Sequence, residues 1–165
     1  MSDLRKRGAR PVTLFTGLKN EWNYAGNEGN RFCFSTDKGA PLKQVVALDV
    51  GRPGAKPAPL IPEAKEALDS VSLIGGKLIA SYLVDAKSEV RVYGLGGKRL
   101  STIPLPGIGS VSGFNGKSTD AETFFAFTSF NRPTTIYRYD AASGRAAEWA
   151  APKLTFDPAS ITVEQ

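Results

Sequence analysis

The amino-acid sequence predicts an all-β protein, a partial β-propeller of about three four-stranded antiparallel blades forming an open arc. Three observations predict it. The first is strand chemistry, strongest at residues 122–140. There Thr123, Phe125, Phe127 and Ser129 alternate with Phe124, Ala126, Thr128 and Phe130, and aromatic and β-branched residues suit a pleated surface. The second is a repeat. Arg31-Phe32-Cys33-Phe34-Ser35-Thr36, Lys77-Leu78-Ile79-Ala80-Ser81-Tyr82 and Thr123-Phe124-Phe125-Ala126-Phe127-Thr128 align with Phe32, Leu78 and Phe124 each 46 residues apart. Propeller blades repeat at roughly 40–50 residues. The third is punctuation: each of these strands runs into a turn and then a second strand, at Gln44–Asp49, 89–94 and 134–139.

Taken in order, residues 1–10 form a basic tail and 11–156 the partial propeller, with blades at roughly 18–62, 69–105 and 109–150. Residues 11–17 read as one short strand, the outer strand of an earlier unit. Residues 21–25 alternate and lead into a Gly-Asn-rich turn at 26–30. Phe32 to Phe34 and Val45 to Leu48 follow as strands. The proline-rich run 51–59 reads as extended loop. Leu60-Ile61-Pro62 is a short edge strand. Residues 63–68 have helix-forming side chains but no length, which predicts a turn or a single helical turn.

The second copy runs from 69–74 through Gly75-Gly76 to 78–84, then 90–93, Gly96-Gly97 and 100–105. A Gly-Gly pair between alternating strands signals a hairpin. The third runs from 109–114 through Asn115-Gly116 and a loop to Ala121, then 124–130 and 134–139. Asn131-Arg132-Pro133 separates those two strands, because proline fixes φ and donates no hydrogen bond. Ser143-Gly144 turns into a last strand at Ala146–Ala150. Residues 157–165 read as an exit segment. Period-two alternation places Phe32, Phe34, Leu78, Ala80, Phe124 and Ala126 on equivalent faces, with Phe125 and Phe127 buried on the other.

The 165 residues fit one domain, and 41% hydrophobic content supports a core. No apolar run approaches the ~20 residues a membrane helix needs. The first residues carry charge without an apolar stretch, so they do not read as a secretory signal. A cytoplasmic location is expected, with the periplasm as the alternative. Of the net charge of +5, Arg5, Lys6, Arg7 and Arg10 against Asp3 contribute +3. Basicity in a tail, without interleaved stacking aromatics, argues against a nucleic-acid partner.

The sequence has no histidine and one cysteine, Cys33. A Ser-His-Asp or Cys-His site within it is thereby excluded, as is a thiolate zinc site. Cys33 reads as a small buried apolar residue. Glycine runs that imitate functional loops fail in detail. Residues 94–99 lack the first glycine and the Ser/Thr of a phosphate loop. Residues 109–113 centre on Val111, not on the serine of a nucleophile elbow. Ser35-Thr36-Asp37-Lys38 straddles a strand end. The aspartates at 37, 49, 69, 85, 120, 140 and 157 mostly sit at strand ends, where they cap turns. No pair among them is selected as a glycosidase site. Trp22 and Trp149 read as blade packing. No residue is assigned a catalytic, cofactor-binding or metal-binding role.

From Asn27-Glu28-Gly29 onward the sequence resembles the propeller of the prolyl oligopeptidase family. The resemblance is closest at Phe127-Thr128-Ser129-Phe130, then Pro133 and Ile136-Tyr137. It continues in Tyr82-Leu83 with Asp85, in Ile103-Pro104-Leu105 with Gly109-Ser110-Val111, and in Leu60-Ile61-Pro62-Glu63, and it spans roughly residues 18–165. The resemblance implies a seven-bladed propeller over an α/β-hydrolase domain with a Ser-Asp-His triad. That propeller gates and walls a chamber admitting short peptides, which are cut after proline. By the same resemblance this chain is the non-catalytic closing part of the propeller. Its implied partners are the earlier blades, the hydrolase domain and, through them, short proline-containing peptides. No family residue that reaches substrate is carried over. A stand-alone propeller-type binding or scaffold module, and an enzyme with a carboxylate pair, remain as alternatives.

Overall fold

The computed structural model describes residues 7–8 and 10–153. The exit segment at 157–165 and most of the basic tail lie outside them. Twelve strands form three four-stranded sheets. The first blade holds β1 (Trp22–Glu28), β2 (Arg31–Thr36), β3 (Gln44–Asp49) and β4 (Ala58–Ile61). The second holds β5 (Ala67–Ile74), β6 (Lys77–Val84), β7 (Lys87–Gly94) and β8 (Arg99–Ile103). The third holds β9 (Ser110–Gly113), β10 (Glu122–Ser129), β11 (Arg132–Asp140) and β12 (Ala146–Ala150). Each is an antiparallel meander, and the array is open.

The turns follow local chemistry. β5 and β6 join through Gly75 and Gly76, at φ 55° and 69°. β6 and β7 join through Asp85 and Ala86, both in the left-handed region, so the two-residue turn has the primed form that matches strand twist.

The blades stack through two apolar layers. Cys33 and Val45 of the first blade meet Leu73, Leu78, Ala80 and Tyr82 of the second. Ile79, Val90, Val92 and Ile103 on the other side of the second blade meet Phe125, Phe127, Tyr137 and Tyr139 of the third. Leu78 and Ile79 are adjacent in one strand and enter different layers. β6 is therefore buried on both faces, as its continuous apolar run requires. Where the inner strands converge, Gly26 sits at φ 140°, and a Cβ there would lie 2.5 Å from the Leu73 Cβ. No other residue allows that approach without a shift.

Several details depart from the sequence reading. The repeat is not uniform at 46. In the ladders Arg31 pairs with Asp49, Lys77 with Gly94 and Glu122 with Asp140. Phe32, Leu78 and Thr123 are thus equivalent, and the second spacing is 45. A one-residue slip exchanges the faces of a strand. Phe125 and Phe127 take the core positions at 1% exposure, Thr123 is buried at 2%, and Phe124 points away at 38%. The alignment of Phe124 and Ala126 with Phe34 and Ala80 is therefore corrected, while the expected burial of Phe125 and Phe127 is observed.

Residues 11–17 form no strand. They cross the outward face of the first blade instead of lying along its outer edge. Phe15 stacks on Trp22 with ring centroids 3.7 Å apart and meets Phe34 edge-on at 5.0 Å. Residues 63–68 contain no helical turn. Ala67 and Leu68 open β5, and the Leu68 N–H donates to the Leu42 carbonyl at 2.9 Å. β11 starts at Arg132, so Pro133 lies inside it. The ladder shifts register there, between Phe127/Thr135 and Ser129/Arg132, and a bulge needs no N–H from proline.

The register correction is testable. Phe125→Ala should cost about 3–5 kcal/mol, the usual range for a buried phenylalanine, and Phe124→Ala well under half of that. Chemical denaturation midpoints measure the difference, and equal losses would refute the register.

The outward face of the third blade carries Phe124 and Trp149, at 38% and 61% exposure and 5.5 Å apart in a T-shaped pair. Among the described residues nothing covers them. The purified chain should therefore self-associate at micromolar concentration or bind a hydrophobic dye. Phe124→Ser with Trp149→Ser should reduce both, as sedimentation velocity and dye fluorescence would show.

Candidate functional site

β1 and β5, the first strands of the first two blades, shape the candidate site. A cleft of about 490 Å³ opens between them and the loop at residues 114–121. Tyr24, Asn27 and Ser72 line it on the strand side; Asn115, Lys117, Ser118 and Thr119 line it on the loop side. The Tyr24 hydroxyl donates to Asn27 Oδ1, and Asn27 Nδ2 donates to the Gly29 carbonyl at 2.9 Å. Burial, then the nearby Cys33 thiol, pushes the Tyr24 phenol upward, so it remains a neutral donor near neutral pH.

The loop is held at several points. Phe114, at φ 58°, turns out of β9 and stacks on Phe125 at 4.7 Å. Asp120 Oδ2 accepts from the Lys117 N–H at 2.8 Å. The Ser118 carbonyl accepts from the Gly76 N–H at 2.9 Å, tying the loop to the second blade. Thr123 Oγ1, buried at the start of β10, donates to the Asn115 carbonyl at 2.9 Å.

Chemically, this cleft is a hydrogen-bonding wall with one cation, Lys117. Its lining contains no carboxylate and no histidine. Among the described residues no three His, Cys, Asp or Glu side chains cluster as metal ligands. Cys33 lies between the first two blades at 2% exposure, and burial is the main cause that raises its thiol pKa. A buried, protonated thiol is a poor nucleophile.

A second constellation was not visible in the sequence. Arg91 of β7 is 8% exposed. Its Nε donates to Glu89 Oε1 at 2.6 Å and its Nη2 to Glu66 Oε2 at 2.9 Å. The guanidinium lies 4.2 Å from the Tyr82 ring centre, and the Tyr82 and Tyr93 hydroxyls are 3.2 Å apart. Burial disfavours the Arg91 charge, but the bonds to Glu89 and then Glu66 outweigh it and raise the pKa. Burial, then the bond with Tyr93, raises Tyr82. The group is a packed ion network within the second blade, not a reactive site. The Glu89-x-Arg91 spacing, which puts both side chains on one strand face, was its only local signal.

Most of the remaining motifs occupy the positions their local chemistry predicts, and Asp37 and Trp149 depart from them. Gly94 and Gly97 bracket a hairpin, with the Gly94 N–H donating to the Lys98 carbonyl at 2.9 Å. Thr36 Oγ1 accepts from the Lys38 N–H at 3.2 Å at a strand end. Asp49 and Asp140 cap their own turns, accepting from the N–H groups of Gly51 and Ser143 at 3.0 and 2.7 Å. Asp37 instead caps a distant segment, through the Glu21 N–H at 2.9 Å. Trp22 packs on Phe15, whereas Trp149 is mostly exposed.

Residues 1–152 match the family model described as prolyl oligopeptidase, N-terminal beta-propeller domain. The chain belongs to that family. It is 33% identical over 155 residues to the prolyl endopeptidase of Elizabethkingia meningoseptica, an alignment covering 93% of this chain and 22% of that protein. The dual function macrocyclase-peptidase of Amanita bisporigera is 29% identical over 146 residues, covering 85% of this chain and 20% of that protein. A solved prolyl endopeptidase, described in a study of inter-domain dynamics in catalysis and specificity, superposes with a TM-score of 0.85. It is 39% identical, over 92% of this chain and 22% of that one. The apo prolyl oligopeptidase B of Galerina marginata shares the fold at a TM-score of 0.84 and 24% identity, over 96% of this chain and 24% of that one. The chain thus spans about a fifth of the length of the relatives it matches.

The electrostatics carry a pH prediction. The hydrogen bond from Arg91 holds the Glu66 carboxyl below its ordinary range, and the Ser143 hydroxyl and N–H do the same for Asp140. A carboxyl depressed in the folded state stabilises fully above its unfolded value, about 4. That stability is lost as pH falls through the folded-state value. Glu66→Gln should lower the denaturation midpoint at pH 7, and the gap to the parent should close as pH drops below about 4. A gap that widens in acid would contradict the assignment.

Proposed function

We propose that this chain forms the closing three blades of the propeller of a peptidase of the prolyl oligopeptidase type. In that role it walls and gates the chamber that admits short peptides for cleavage after proline. The observation that carries the reading is the family match over residues 1–152, on blades whose inner strands border an axial cleft of about 490 Å³. A propeller domain supplies shape and exclusion rather than chemistry. The cleft fits that division of labour, because its lining offers hydrogen-bonding groups and neither a histidine nor a carboxylate to serve as a base. A hydrolase domain elsewhere in the same protein supplies the triad, and earlier blades complete the ring.

Two experiments test this. First, the isolated chain should not turn over a proline-containing chromogenic peptide, since it has no histidine to serve as a base. Turnover blocked by a serine-directed phosphonate that labels this polypeptide would refute that. Second, residues 18–153 can replace the matching blades of the Elizabethkingia meningoseptica enzyme. The chimera should cleave short proline peptides and leave long unfolded polypeptides intact. A folded chimera that cuts both equally would remove the gating role.

A further inference from the structure

The lining of the 490 Å³ cleft comes from all three blades of this chain, through β1, β5 and the loop at 114–121. On the peptidase reading an earlier blade packs on the outward face of the first blade and the ring-closing blade on the outward face of the third. Both lie away from this lining. Lys117 is the one charged side chain in it. Among the described residues no carboxylate pairs with the Lys117 ammonium. The side chains of Ser72, Asn115, Ser118 and Thr119, also in the lining, have no hydrogen-bond partner among the described residues either. The backbone that carries Lys117 is nevertheless fixed. Its N–H donates to Asp120 Oδ2 at 2.8 Å, and its carbonyl accepts the Asp120 N–H at 3.0 Å. On either side of Asp120, the Ser118 carbonyl accepts the Gly76 N–H at 2.9 Å and the Ala121 carbonyl accepts the Ala141 N–H at 2.8 Å.

We propose that Lys117 is a specificity residue of the cleft, which makes it prefer peptides that carry a carboxylate over neutral ones. The ligand class rests on the peptidase reading; the charge preference rests on the lining. A lone cation in a wall without carboxylates attracts an anion and leaves a neutral group without that gain. The unpartnered hydroxyls and the Asn115 amide can bond the main chain of an extended peptide beside it. An ammonium is a compact charge on a flexible stem, so it takes a carboxylate from a chain terminus or from an acidic side chain without demanding one geometry. The tied loop holds that charge at the cleft, while the stem leaves it free to follow the ligand.

Ligand-detected NMR titration of the full chain tests this with three peptides: acetyl-Ala-Gly-Pro-Ala as the free acid, the same peptide as the C-terminal amide, and acetyl-Ala-Gly-Pro-Asp amide. The free acid, the aspartyl amide or both should bind at millimolar concentration, about three- to fivefold more tightly than the neutral amide. Which of them gains identifies the source of the carboxylate. The preference should fade as salt rises from about 0.05 to 0.5 M. Lys117→Gln should keep the parent's denaturation midpoint and bind all three peptides alike, whereas Lys117→Arg should retain the preference. Lys65→Gln, which alters a lysine outside the lining, should behave like the parent. The proposal is overturned if no peptide binds at about 10 mM, or if neither carboxylate peptide exceeds the amide. A preference that survives in Lys117→Gln, or is lost in Lys65→Gln, would overturn it as well. These titrations need no catalysis, and cleavage by the chimera tests the peptidase reading, so either can fail while the other holds.

Discussion

Every feature of this molecule depends on one constraint: a blade is a thin sheet with two apolar faces, and neither can be left to water. The second blade satisfies it on both sides. Leu78, Ala80 and Tyr82 pack toward the first blade, and Ile79, Val90 and Val92 toward the third. Burying such side chains contributes about 1.5–3 kcal/mol each, so the two layers dominate what holds the blades together. The outer blades satisfy the constraint once. The first covers much of its other face with its own preceding segment, through Leu14 and Phe15. The third leaves Phe124 and Trp149 exposed.

The same constraint places the candidate site. Neighbouring blades approach closely where a side chain vanishes, as at Gly26 against Leu73 and at Gly75 against Ala141. Gly26 and Leu73 themselves line the cleft. The loop at 114–121 can border that cleft because Phe114 leaves β9 in a left-handed conformation and stacks on Phe125. The site presents hydrogen-bonding groups and one lysine, and its lining holds no carboxylate.

The polar networks serve the packing too. Arg91 is buried because two carboxylates and the Tyr82 ring replace its water, and one partner, Glu66, comes from just before β5. Removing both carboxylates would leave the Arg91 charge uncompensated in a nearly dry place. The ladder of β6 and β7 sets the distance at which Arg91 meets Tyr82, so sheet register and ion pairing enforce each other. In the third blade the exposed Glu122–Arg138 pair, at 2.6 Å, spans the equivalent two strands on the outward face.

By itself the sequence determined the all-β class, the twelve strand positions to within a few residues, the meander order and the absence of a histidine-based active site. These are local properties: alternation, turn chemistry and composition are written residue by residue. It did not determine which face of the third blade is buried. Phe124 and Phe125 are equally good strand residues, and only the ladder between β10 and β11 distinguishes them. It misplaced residues 11–17, because a short apolar run carries the same pattern whether it pairs at an edge or lies across a face. The Phe15–Trp22–Phe34 contacts that settle its position are tertiary. The Arg91 network could not be read in advance. Charges distant in sequence meet only after the sheets have set their directions, and that is a property of the folded arrangement alone.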